Sequence, residues 1–69
     1  MGRSRHSIKR RDIERRLADE GWIVIRNGPG DHVQYGHPVK PGKVTVDTGK
    51  REIPTGTLHG IFRQAGWVW

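Results

Sequence analysis

Four histidines are the side chains of this sequence best suited to proton transfer, because an imidazole titrates near neutrality and can both take and return a proton. They are unequally placed. His6 lies in a basic N-terminal stretch, His37 precedes Pro38 in a loop, and His59 flanks an apolar helical stripe, about 100° round from Leu58. All three positions suit ordinary solvated or packing histidines. His32 directly follows NGPGD (Asn27 to Asp31) and opens the alternating stretch HVQYG, so a strand would hold it while solvent still reaches it. Alternation puts His32 and Gln34 on one face and Val33 and Tyr35 on the other. Position alone leaves His32 as either a site residue or a solvated strand-start histidine. A metal site would need His32, His37, Asp31 and Asp47 to converge, yet a turn separates the two histidines and the chain has no thiolate, so neither metal nor cofactor is expected. There is no Ser/His/Asp order or nucleophile elbow, and GPG lacks the lysine and following helix of a phosphate-binding loop. Nucleophilic catalysis and nucleotide hydrolysis are thereby disfavoured.

The cations point to the partner. Thirteen Lys and Arg against seven Asp and Glu give +6, and a pI near 10.9 suits a polyanion, most simply nucleic acid. Residues 1–16 carry seven of these cations (Arg3, Arg5, Lys9, Arg10, Arg11, Arg15, Arg16) against Asp12 and Glu14. Such a cluster is either a solvated helix face or a phosphate-contacting one, with Lys9 and Arg10 as candidate RNA contacts. Trp22, in an apolar run, and Trp67, just after a helix, are expected in the core; Trp69 is open to packing or stacking.

These side chains must be positioned by few elements. Ser7 is a plausible N-cap, and Ile8, Ile13, Leu17 and Ala18 recur at helical spacing until Gly21, predicting a helix over about residues 8–20. WIVIR (Trp22 to Arg26) reads as a buried strand, HVQYG as a second, and KVTVD as a third after the loop HPVKPG. Leu58, Ile61, Phe62 and Ala65 form the stripe of a second helix, begun by Pro54 or Thr55 and ended by Gly66. The expected fold is α+β: a three-stranded antiparallel sheet with two helices on one face and the other face open. Sixty-nine residues suffice for one domain over 1–69, with residues 1–7 as a basic tail. No cysteine means no disulfide framework, and no apolar run approaches the roughly 20 residues of a membrane helix, so a soluble, unexported, cytoplasmic chain is expected.

In order and spacing, GW at 21–22, Arg26, GDHVQY at 30–35, VTV at 44–46, EI at 52–53 and GTLHGIFRQAG at 56–66 resemble the HicA-like toxins, small RNA-cleaving members of type II toxin–antitoxin pairs. The resemblance covers most of the chain. It implies the double-stranded-RNA-binding-like α-β-β-β-α fold, the order read above from periodicity. It also implies a metal-independent mRNA endoribonuclease that inhibits translation and is neutralised by a HicB-like antitoxin covering the active-site face. In the family signature G-S-H-x-x-aromatic the histidine is catalytic; here Gly30, His32 and Tyr35 fall on its glycine, histidine and aromatic, which makes Gly30 and Tyr35 expected RNA contacts beside His32. Arg26 and Lys43 are then the expected cations against phosphate charge.

Two positions depart from the family pattern. Asp31 replaces the serine; a carboxylate repels phosphate, and its expected role is as a turn residue, the alternative being action on His32 through its charge. Asp47 and Gly49 stand where many members have a proline and a second histidine, so one possible proton-transfer group is missing. The rivals are a non-catalytic RNA-binding module of the same fold and a protein-binding adaptor whose basic patch meets an acidic partner.

Overall fold

The structure is a computed structural model and describes residues 7–69; the expected basic tail, with Arg3, Arg5 and His6, lies outside the described residues apart from Ser7. Helix α1 spans Arg10–Asp19, starting two residues later than the sequence spacing predicts. The delay has a backbone cause. The Ile53 N–H donates to the Ile8 carbonyl at 2.7 Å, the Arg10 N–H donates to the Arg51 carbonyl at 2.9 Å, and Lys9 bridges Glu52 in antiparallel fashion. Residues 8 and 9 are thus extended, and Lys9, not Ser7, is the N-cap, with no side-chain cap. The Ser7 hydroxyl instead accepts from the Lys9 N–H at 3.2 Å and donates to Asp12 at 2.7 Å. Ile13 and Leu17, one turn apart, carry the buried side of α1.

Strands β1 (Ile23–Asn27), β2 (His32–Gly36) and β3 (Val44–Asp47) form one antiparallel sheet in the order β1-β2-β3. Val33 pairs with Val46 and Tyr35 with Val44, so these four share one face; His32, Gln34, Thr45 and Asp47 share the other. Helix α2 (Thr55–Ala65) ends at Gly66, whose φ of 79° places it in the left-handed region that favours glycine. Leu58, Ile61, Phe62 and Ala65 of α2 join Ile13, Leu17, Trp22, Tyr35, Val44, Val46, Ile53 and Trp67 in one buried cluster. The α-β-β-β-α order and the open face are as the sequence predicts, and Trp22 and Trp67 lie in the core as expected.

The expectation of a buried first strand is corrected: all five residues of β1 are exposed, with Ile23, Val24 and Ile25 near half or more of their full accessibility. The β1-β2-β3 order makes β1 an edge strand, and the helical side chains bury β2 and β3 instead. Tyr35 is a second correction. It is 5% exposed and donates its hydroxyl to Glu14 Oε1 at 2.8 Å, while Glu14 Oε2 accepts from Arg10 Nη1 at 2.7 Å. Burial, then the hydrogen bond to Glu14, holds the phenol well above its ordinary pKa. A side chain committed to the core in this way does not present itself to RNA.

Candidate active site

The β1–β2 turn is fixed from both sides. The Gly28 N–H donates to the His32 carbonyl at 2.7 Å, and the Asp31 carbonyl accepts from the Thr48 N–H at 2.6 Å and the Thr48 hydroxyl at 2.8 Å. Gly30 takes the left-handed φ of 67° that lets the turn close. The His32 backbone is therefore held by β1, β3 and the residue after β3. Its side chain is exposed on the open face and makes no hydrogen bond or ion pair among the described residues.

Arg26 shares that face because of a β-bulge. Val24 pairs with Tyr35, Arg26 pairs with Gln34, and Ile25 is the extra residue between them. In an unbulged ladder Ile25 would oppose Gln34, and Arg26 would oppose Val33 on the core face. The bulge turns the guanidinium outward. Arg26, Gly28, Pro29, His32, Gln34 and Thr45 line a shallow hollow of about 350 Å³. It brings together an imidazole, a guanidinium, an amide and a hydroxyl, with neither ring nor guanidinium engaged in an ion pair among the described residues. Gln34 was legible as a neighbour on the face of His32; Thr45 was not, and Arg26 was expected only through the resemblance.

The other expected site residues lie elsewhere. Lys43 precedes Val44, which pairs with Tyr35, so it stands at the far end of the sheet from His32, about 13 Å away along the strands. There it lines a mainly apolar hollow of about 420 Å³ with Ile23, Ile25, Gly36, His37 and Pro38. Gly30 serves the turn. Lys9 and Arg10 line a basic cleft of about 430 Å³ with Arg11, Arg51 and Glu52.

Both departures from the expected pattern meet at one point. A Cβ built at Gly49 would collide with the Asp31 carboxylate, which occupies the space a side chain at 49 would need. Asp47 Oδ1 accepts from the Gly49 N–H at 2.9 Å, and no ion pair joins Asp47 to His32. The Asp31 main-chain carbonyl helps hold the turn, and a glycine at 49 is the residue that fits beside its carboxylate. The remaining described histidines are structural. His37 Nδ1 accepts from the Val39 and Lys40 N–H groups, both at 3.0 Å, so Nε2 carries the hydrogen and donates to the Glu20 carbonyl at 2.8 Å. His59 stacks on Trp69 with ring centroids 3.6 Å apart. Among the described residues no group of three His, Cys, Asp or Glu side chains could hold a metal ion, and no helix is long and apolar enough to cross a membrane.

No curated protein matches the chain. A family model described as HicA toxin of bacterial toxin-antitoxin does, over residues 10–67, a span that takes in every helix and strand and the His32 hollow. With that match covering most of its length, the chain belongs to the HicA toxin family, whose members are the toxins of bacterial toxin–antitoxin pairs.

Proposed function

We propose that the chain is a metal-independent endoribonuclease that cleaves mRNA in the cytoplasm, with His32 as its single catalytic histidine. The observation that carries this reading is the unpartnered imidazole sharing one open hollow with the Arg26 guanidinium. His32 takes the proton of a ribose 2′-hydroxyl, the 2′-oxygen attacks the adjacent phosphorus, and the P–O5′ bond breaks. The leaving 5′-oxygen is protonated by solvent, which reaches the open hollow, and the imidazolium returns its proton to water. The products are a 2′,3′-cyclic phosphate and a 5′-hydroxyl. Arg26 offsets the charge that builds on the phosphoryl oxygens, while Gln34 and Thr45 offer polar contacts to the nucleotide. Cleaved mRNA arrests translation.

Family membership implies an antitoxin partner. We place it, as a HicB-like protein, over the His32 face, where the hollow beside Ile23 and Ile25, at the other end of the sheet from His32, supplies apolar area. RNA and antitoxin would then compete for one surface. The absence of a side chain at Gly49 favours one rival, an RNA-binding module without cleavage. Brief induction without the partner separates the two: wild type fragments transcripts and His32→Ala does not. Equal fragmentation by both removes His32 from the mechanism, and RNA binding without fragmentation by either establishes the module.

A further inference from the structure

The basic cleft at the start of α1 is unused by this mechanism. Its walls come from two segments distant in sequence, residues 9–11 and 51–52. They are laced together by the Lys9–Glu52 bridge, the Arg10 N–H to Arg51 carbonyl bond at 2.9 Å and the Arg10 Nε to Lys50 carbonyl bond at 3.1 Å. The cations are thus presented on a fixed backbone. Arg10 is spent on Glu14, but Lys9, Arg11, Lys50 and Arg51 are exposed and take part in no ion pair among the described residues. Glu52 is the one acid in the lining, and the nearby Asp12 accepts from Ser7.

The cleft lies at the His32 end of the sheet. Asp47 pairs with His32, and four residues on from it comes Arg51, so their Cα atoms are at most about 14 Å apart. The two acids between the hollows both lie at Gly49: the exposed Asp31 carboxylate lies against it, and Asp47 Oδ1 accepts from the Gly49 N–H. Lys50 is exposed just beyond them. A chain of phosphates leaving the His32 hollow over this end of the molecule meets Lys50 and then the cleft.

We propose that this cleft is a second subsite for single-stranded RNA, holding backbone phosphates a few nucleotides from the scissile one. The inference rests on RNA as the substrate but not on cleavage. Phosphate is the chemistry that three lining cations unpaired among the described residues (Lys9, Arg11 and Arg51), with Lys50 beside them on the same fixed backbone, would take.

The test uses His32→Ala protein, so that RNA stays intact, and fluorescence anisotropy of a labelled trinucleotide and a labelled dodecanucleotide over a range of salt. Lys9→Gln/Arg11→Gln/Arg51→Gln is expected to weaken dodecanucleotide binding at least tenfold at low salt. It should also shrink the slope of log K against log salt by about 2, since each single-strand phosphate contact contributes about 0.7. Trinucleotide binding should stay unchanged, and Lys9→Arg/Arg11→Lys/Arg51→Lys should restore the longer RNA. Unchanged dodecanucleotide affinity and slope overturn the proposal. So does inorganic phosphate binding that is lost in the triple variant while dodecanucleotide affinity is kept, which would mark a small-anion site. If wild type cleaves nothing, the catalytic reading fails while this titration still reports on the cleft.

Discussion

Arg26 shares the face of His32 only because one extra residue, Ile25, precedes it in the ladder, so its contribution tests the geometry more sharply than its charge does. Arg26→Gln is expected to lower the single-turnover cleavage rate by about 10²- to 10³-fold, the usual loss when a donor to developing charge is removed. Lys43→Gln, at the far end of the face, should leave that rate unchanged; an equal loss in both would place the scissile phosphate elsewhere. Tyr35→Phe removes the donor to Glu14 and should cost about 1–2 kcal/mol of stability in a denaturant titration, with cleavage by the folded fraction intact. The position of His32 was legible because alternation after a glycine-rich turn is a local property of the sequence. The same alternation set Tyr35 beside Val33, on the side that proved to be the core, whereas matching a motif position says nothing about which way a side chain points. Arg26 was expected only through the resemblance; the bulge that turns it outward was illegible because it depends on two strands at once.

The two helices announced themselves through apolar spacing, and α2 starts and ends where Pro54 and Gly66 mark it. The first turn of α1 did not, because residues 8 and 9 are claimed by a tertiary bridge to residues 52 and 53 that no local pattern encodes. WIVIR looks like a buried strand by composition, but composition cannot say whether a strand is central or at an edge. At the β3–α2 connection, Gly49→His alone should destabilise the protein, because its Cβ would run into Asp31. Gly49→His/Asp31→Ser should recover much of the loss, and a double-mutant cycle showing simple additivity would deny the coupling. Gly66→Ala should lower stability by about 1 kcal/mol, read as a drop of about 4–8 °C in Tm, because alanine resists its left-handed backbone.

Across the molecule, Glu20 ties the two helices to the 37–42 loop. Its Oε1 accepts from Trp67 Nε1 at 2.7 Å and lies 3.6 Å from Lys40 Nζ, and its Oε2 accepts from Arg16 Nε at 3.3 Å. The Trp67 hydrogen bond, with the Arg16 bond and the Lys40 and Arg16 charges, outweighs partial burial and holds its pKa below the ordinary carboxylate value. A carboxylate depressed on folding stabilises the fold fully above its unfolded pKa, and that share is lost as pH falls through the folded value. Thermal melts should therefore hold steady above about pH 5, given an unfolded value near 4.3, and decline on further acidification. Glu20→Gln should show a lower plateau and a shallower acid decline; an identical profile would remove Glu20 from the acid response.

The raw margin of β1 has a cost for the lone chain. Ile23, Val24 and Ile25 leave a greasy ribbon with unfilled backbone bonds, and at low salt mutual repulsion between molecules of charge +6 keeps two such ribbons apart. At about 1 M salt the screening length shrinks to about 3 Å and that barrier is gone. Purified without a companion, the protein should scatter light more strongly as salt rises, the reverse of its behaviour towards nucleic acid. A single lysine in place of Val24 should keep the solution clear.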